Sequence, residues 1–172
     1  MASQLRVDKI VPVDGVPTGG GGGIVQIVQT IKTDVYTNDT NDTWLDITGL
    51  SVTITPKFNT SKILVSVNFG ASNGTSCLHV FRMLRGSTVI GASTGGTYNG
   101  FAIMDSEAIG GVKQRYIGHI KAEILDSPAT TSATTYKVQH WKNGNTNMHV
   151  GRRALNDSSQ YASTITAYEV SA

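Results

Sequence analysis

The residues with the greatest capacity for chemistry are four histidines, and their spacing favours no catalytic or metal-binding motif. They are His79, His119, His140 and His149. No two of them have the HExxH spacing that brings two imidazoles to one zinc ion. His140 shares strand parity with Tyr136 and Val138, which predicts a place in the core or at a subunit contact. We expect structural histidines and neither a metal nor a cofactor; the alternative is a metal on a three-fold axis.

Carboxylates are too scarce to favour a hydrolase. The chain has 12 Asp and Glu residues. Glycoside cleavage needs two carboxyl groups at a defined separation, one of them with a raised pKa. Two pairs along the chain are Asp105 with Glu107, in a predicted loop, and Glu123 with Asp126, at a predicted strand end. We therefore predict a protein that is not an enzyme, with a capsule depolymerase as the alternative.

Aromatic residues in polar loops are the best candidates for contact with a ligand, because their rings combine an apolar face with a polar handle. Residues 92–111 are predicted to be irregular and glycine-rich, and they contain the sequence Tyr98-Asn99-Gly100-Phe101. We take Tyr98, Asn99 and Phe101 as the candidate receptor contact. Trp44 is predicted to lie in the core.

The composition favours a particle surface over a nucleic-acid or membrane partner. The net charge is +2 and 15% of the residues are charged, so clustered cations that would replace the counterions of a nucleic acid are lacking. No stretch reaches the roughly 20 apolar residues that insert across a bilayer, and the first residues do not resemble a signal peptide. The one cysteine, Cys77, excludes an intrachain disulfide framework and is predicted to be buried. We expect a protein made in a host cytoplasm and carried on a virion.

Residues 1–23 are predicted to form an extended anchoring arm that ends in the glycine run 19–23. Pro12 and Pro17 oppose a helix, and the arm is too apolar to be left in water. We expect it to dock on another subunit or on a particle, with a disordered tail as the alternative. The candidate anchoring residues are Leu5, Val7, Asp8, Ile10, Val11 and Val13. The glycines suggest a flexible joint by composition, or a tight passage around a three-fold axis.

Residues 24–172 predict a β-sandwich body. The clearest strand is 61–69, in which Ile63, Val65, Val67 and Phe69 share one side. A β-bulge is predicted at Thr48-Gly49 and a type II′ hairpin at Gly86-Ser87. A second hairpin is predicted at Asn143-Gly144-Asn145. The predicted strands are 24–31, 44–54, 61–69, 77–85, 88–91, 114–125, 135–142, 147–153 and 163–170. This pattern, without a helical period, is typical of a jelly-roll-like antiparallel β-sandwich.

Two stretches of the chain carry a family resemblance. The first is the arm sequence Leu5-Arg6-Val7-Asp8-Lys9-Ile10, followed by glycines. The second spans most of the body and includes Phe81-Arg82-Met83-Leu84-Arg85, Leu125-Asp126-Ser127-Pro128 and residues 47–56, 61–65, 132–139 and 163–170. In both, the chain resembles small virion appendage proteins of tailed bacteriophages (tail fibre, collar and decoration proteins) of the marine and cyanobacterial type.

The resemblance implies a homotrimer with heads like those of tumour necrosis factor and complement proteins. It further implies a structural role on the virion, with the arm contacting other virion proteins and the body displayed, where it would meet a host surface glycan. Nucleic acid and membrane insertion are not among the implied partners. The chain lacks a long shaft, which favours a short fibre, knob or decoration over a long tail fibre. The alternatives are a dedicated carbohydrate-binding receptor-recognition protein and a capsid decoration protein.

Overall fold

The computed structural model describes residues 23–74, 77–105, 117–155 and 159–171, and this part of the chain contains eleven β-strands and no helix. The strands are β1 (Ile24–Lys32), β2 (Tyr36–Asn38), β3 (Leu45–Ile54), β4 (Lys62–Asn73), β5 (Cys77–Arg85), β6 (Thr88–Ile90), β7 (Ala102–Asp105), β8 (Gly118–Asp126), β9 (Thr134–Gly144), β10 (Met148–Val150) and β11 (Ser163–Val170). The predicted all-β class is confirmed. The predicted arm, except for Gly23, lies outside the described residues.

The strands form two antiparallel sheets. In the first sheet the order is β1-β11-β4-β8, and β10, with β2 beside it, continues along the edge of β4 beyond β11. In the second sheet the order is β3-β9-β5, and both β6 and β7 pair with the remaining edge of β5. Successive strands pass back and forth between the sheets, so neighbours in a sheet are often distant in sequence. The result is the jelly-roll-like sandwich that the strand pattern predicted.

The core lies between the sheets and is built from alternate residues of the central strands. In β4, the side chains of Ile63, Val65, Val67 and Phe69 are at most 1% exposed. Phe81 of β5 meets Phe69 edge to face, with ring centroids 5.1 Å apart. Because side chains alternate across a strand, this face of β4 is fully apolar while the intervening residues point out of the sandwich.

Two local features follow the sequence prediction. The pairing register of β3 shifts between Asp46 and Ser51, and Gly49 within this stretch has a φ of +82°. This is the predicted bulge, and a side chain is disfavoured at that backbone conformation. A two-residue turn joins β5 to β6, with Gly86 at a φ of +57° in its first central position, as a type II′ hairpin requires.

Four sequence predictions of local structure are wrong. Residues 33–43, where no strand is predicted, contain β2, and the stretch 92–111, which is predicted to be irregular, contains β7; both strands are too short to show a period. The turn at Asn143-Gly144-Asn145 makes no hairpin, because β9 belongs to the second sheet and β10 to the first. Trp44 is outside the core, on the outer face of the second sheet, where the Arg82 guanidinium lies 3.9 Å from its ring centroid.

The two ends of the sandwich differ. β4 runs between them from Lys62 to Asn73, a length of about 40 Å at the usual rise per residue. The proximal end is the one where β1 begins, and there the Ser171 amide donates to the Gly23 carbonyl at 2.9 Å. The distal end holds Asn73 and the turn from β9 to β10. Asn73 donates from Nδ2 to the Cys77 carbonyl at 3.1 Å there.

Candidate assembly surface

A row of apolar side chains crosses all four strands on the outer face of the first sheet. Ile27 of β1 lies opposite Tyr168 of β11, Tyr168 opposite Leu64 of β4, and Leu64 opposite Leu125 of β8. Ile27 is 57% and Leu125 is 56% exposed, and the two central residues are partly exposed. We name these four residues the apolar row. Directly opposed side chains in a sheet are close enough to act as one surface.

The apolar row lies one step from the proximal end of the sheet. On its proximal side Ile24, which is 62% exposed, lies opposite Val170. Val170 in turn lies opposite Lys62, which is charged. Toward the distal end the face becomes polar, and Lys121 pairs with Glu123 at 3.0 Å along β8. A sheet face that met only water would be polar at these outward positions. Exposed apolar side chains in a continuous row therefore make this face a candidate interaction surface.

The outer face of the second sheet carries polar side chains that hydrogen-bond to one another. Arg82 donates from Nε and Nη2 to Oε1 of Gln139 at 2.9 and 2.7 Å. Gln139 and Lys137 then donate to the two carboxylate oxygens of Asp46, both at 2.7 Å. Burial acts to raise the pKa of Asp46, but these two hydrogen bonds and the charges of Lys137 and Arg82 together outweigh it and lower the pKa below its usual value. The outer face of the second sheet thus has polar side chains that hydrogen-bond to one another, whereas the outer face of the first sheet exposes the apolar row.

No known protein family and no curated protein matches the chain. Among solved structures, a chain in the structure of infectious bursal disease virus, Gx strain, is similar over 99% of this chain, with 10% sequence identity and a TM-score of 0.39. The match covers 44% of the viral chain, so the present chain spans less than half of its length. A likeness this distant carries no argument about function.

The predicted receptor contact lies in a loop that crosses the outer face of the second sheet. The Tyr98 ring, 39% exposed, packs on Trp141 with centroids 4.2 Å apart. Asn99 accepts at Oδ1 from the Gly96 amide at 3.1 Å and so holds the loop in shape. Phe101 is partly buried and packs against the core. Of the three, Tyr98 offers the most surface to a ligand, and receptor contact remains a prediction.

The predicted anchoring residues of the arm cannot be placed in the fold. Leu5, Val7, Asp8, Ile10, Val11 and Val13 all lie outside the described residues. Their anchoring role therefore stays a prediction.

Three of the histidines are buried in the sandwich. His79 and His140 are fully buried and His149 is 5% exposed. The Nε2 atom of His140 lies 3.0 Å from the Tyr36 hydroxyl, so His140 takes the core position that was one of its two predicted places. Burial lowers the pKa of His79 to about 3 and that of His140 to about 4. The described residues contain no group of three His, Cys, Asp or Glu side chains suited to a metal, and no helix fit to cross a membrane.

Sequence reasoning missed the two leucines of the apolar row, although a signal for them exists. Leu64 stands between Ile63 and Val65, and Leu125 directly follows Ile124. An apolar residue at the outward position of an alternating strand indicates that both faces of the strand are covered. Two adjacent strands with the same break in alternation therefore point to an apolar patch on the outer face.

Proposed function

We propose that the protein is a non-enzymatic structural component of a virus particle, a homotrimeric appendage of a tailed phage. Its N-terminal arm is held by other virion proteins, and its body is displayed on the surface, where it meets the host. The observation that carries this proposal is the apolar row, because it gives the sandwich a face for a second copy of itself. The virion role and the three-fold state come from the family resemblance of the sequence.

Self-association through this face is favoured by its chemistry. Covering the exposed parts of Ile27 and Leu125 contributes about 1 kcal/mol for each side chain at the usual value per buried area. Tyr168 lies between them and supplies an aromatic ring, the residue type most enriched at interface centres. The row itself holds no charge, so copies that meet there desolvate no unpaired ion.

The test is the mass of the protein in solution. Sedimentation equilibrium of the wild type should give about 55 kDa, three times the 18.3 kDa of one chain. Leu125→Lys and Ile27→Lys should weaken association at least about 100-fold, because each assembly would bury several unpaired ammonium groups. Ile103→Lys is the matched control: Ile103 is 60% exposed, on the outer face of the second sheet. It should leave the trimer intact.

Two outcomes would overturn the proposed assembly. A wild-type protein that sediments as a monomer at micromolar concentration would remove the trimer. A trimer that survives both substitutions in the apolar row but dissociates with Ile103→Lys would move the interface to the second sheet. The position of labelled protein on intact particles separates a tail appendage from the alternative of a capsid decoration.

A further inference from the structure

A polar groove opens at the distal end of the sandwich, opposite the end where β1 begins. Its volume is about 470 Å³, within the range of about 300–1,000 Å³ that is usual for small-ligand sites. Three segments meet there: the end of β4, the turn from β9 to β10, and the chain after β10; the first is distant in sequence from the other two. The side chains that define it are Asn145, Thr146, Asn147, His149, Arg152 and Leu155.

Arg152 gives the groove its charge, and its position is fixed from two sides. Its carbonyl accepts a hydrogen bond from the Ser72 hydroxyl at 2.7 Å. Its Nη2 atom lies 3.2 Å from Nδ1 of His149, and the same ring nitrogen lies 2.9 Å from the Thr37 hydroxyl. Burial and the nearby Arg152 charge lower the pKa of His149 to about 4, so the ring is neutral at pH 7 and accepts from the guanidinium.

In the part of the chain that the structure describes, the guanidinium therefore meets only neutral neighbours. Among the described residues, no acid lines the groove and no carboxylate contacts Arg152. A guanidinium is the side chain best suited to hold a carboxylate through two parallel hydrogen bonds. A guanidinium that none of the described acids neutralises favours a ligand that brings the anion.

The rest of the lining suits a sugar. Asn145 and Asn147 are exposed, and each amide offers both donors and an acceptor, as sugar hydroxyls require. Leu155 supplies apolar surface for the carbon-bound face of a ring. One cation is too few for a nucleic-acid backbone, where several phosphates are neutralised together. A single charge among amides and one apolar side chain matches one acidic residue within a saccharide.

We propose that the distal groove binds uronic acid residues of a host surface polysaccharide, with Arg152 holding the sugar carboxylate and Asn145 and Asn147 its hydroxyls. This inference rests on the proposed function in one respect: the groove faces a host only if the protein is displayed on a particle. A single site of this kind should be weak, with a Kd on the order of 0.1–1 mM. Three sites on one trimer would raise the effective affinity for a polymer.

Calorimetry on the full-length protein tests the site without relying on avidity. The probes are tetrasaccharides of galacturonate, guluronate and mannuronate, each beside the uncharged oligosaccharide of the same sugar series. At least one uronate should bind, and its uncharged counterpart should bind about tenfold more weakly or not at all. Arg152→Gln should weaken uronate binding about tenfold or more, and Arg152→Lys should weaken it less. Lys62→Gln, which removes a cation at the proximal end, is the matched control and should leave binding unchanged.

The possible failures of this inference are separable from those of the proposed function. If no uronate binds, or if binding survives Arg152→Gln, the assignment of the groove is wrong even when the protein is a trimer. Uncharged probes that bind as well as uronates would also overturn it. If the protein sediments as a monomer and still binds uronate through Arg152, the binding site is supported and the trimer is refuted.

Discussion

His79 places a polar ring in the core without a hydrogen-bond partner among the described residues. Its ring stacks on Phe81 of the same strand, with centroids 6.4 Å apart. Lys142 lies opposite it on β9 and donates from Nζ to Asn41 Oδ1 and to the Gly144 carbonyl. In this buried position, a protonated His79 would have no water to solvate its charge, and it would lie near the Lys142 ammonium group. Burial, together with the charge of Lys142, therefore favours the neutral ring of His79.

We expect the protein to lose stability as the pH falls below about 6.5, with His79 as one cause. The pKa of His79 is about 3 in the folded protein, whereas an unfolded histidine titrates near about 6.5. The unfolded chain therefore takes up the proton first. The stability that depends on the neutral ring is complete above pH 6.5 and is lost as the pH falls toward 3. Linkage gives a loss of about 2 kcal/mol from this residue at pH 5.

Urea unfolding at one protein concentration, between pH 7.5 and pH 5, measures this loss. The depressed pKa values of Asp46 and Glu169 remove stability only at lower pH, so the window isolates the histidines. His79→Phe keeps an aromatic ring and removes the titrating group, and its stability should fall about 2 kcal/mol less over the window. An unchanged pH dependence in this variant would show that His79 is not a cause.

At the scale of elements, the loop between β6 and β7 is held against the second sheet by a glycine. The Phe101 amide donates to the Phe81 carbonyl at 2.8 Å. A Cβ atom on the preceding residue, Gly100, would overlap that carbonyl oxygen and would come within 2.7 Å of Val80. The close approach of the loop backbone to β5 therefore needs a residue without a side chain. It is this approach that places Tyr98 over Trp141.

We expect Gly100→Ala to lift the loop and to destabilise the protein by roughly 2–3 kcal/mol, since backbone of β5 cannot move aside. The reporter is the fluorescence of Trp141 in a Trp44→Phe background, because the chain has 2 tryptophans. Acrylamide should quench Trp141 more strongly once Tyr98 has moved. Gly95→Ala is the matched control in the same loop, since a Cβ atom there meets nothing within 4 Å. Equal quenching in the two variants would refute the role of Gly100.

The elements that sequence predicts are those whose pattern is local. β4 shows its apolar face within one strand, and the bulge in β3 is marked by Gly49 where the alternation shifts. Neither β2 nor β7 can be found this way, because they have only three and four residues and gain their places from partners elsewhere in the chain. The turn at Asn143-Gly144 has hairpin chemistry, but local chemistry cannot say whether the next strand returns to the same sheet. The groove could not be predicted from local pattern either, because its walls come from separate segments that meet only in the folded chain.

At the scale of the whole molecule, the proximal end is a rigid base for the residues that precede Gly23. Glu169 of β11 is buried and accepts from Gln26 Nε2 at 2.6 Å and from the Lys57 amide at 2.8 Å. Burial acts to raise the pKa of Glu169, but these hydrogen bonds outweigh it and lower the pKa. They join β1, β11 and the turn between β3 and β4. The groove lies at the other end of β4, so an anchored base would leave the groove facing outward.

We expect deletion of residues 2–18 to leave a folded trimer that no longer joins the particle. The described fold begins at Gly23, whose hydrogen bonds to Ser171 remain in the truncated chain. The apolar row and the groove also remain, so sedimentation and uronate binding should match the full-length protein. Incorporation is measured as copies per purified particle by quantitative mass spectrometry. Val7→Asp with Ile10→Asp keeps the length of the arm but removes apolar contacts, and it should reduce incorporation as well. Wild-type incorporation of the truncated protein would refute the anchor, and failure of that protein to fold would make the arm part of the body.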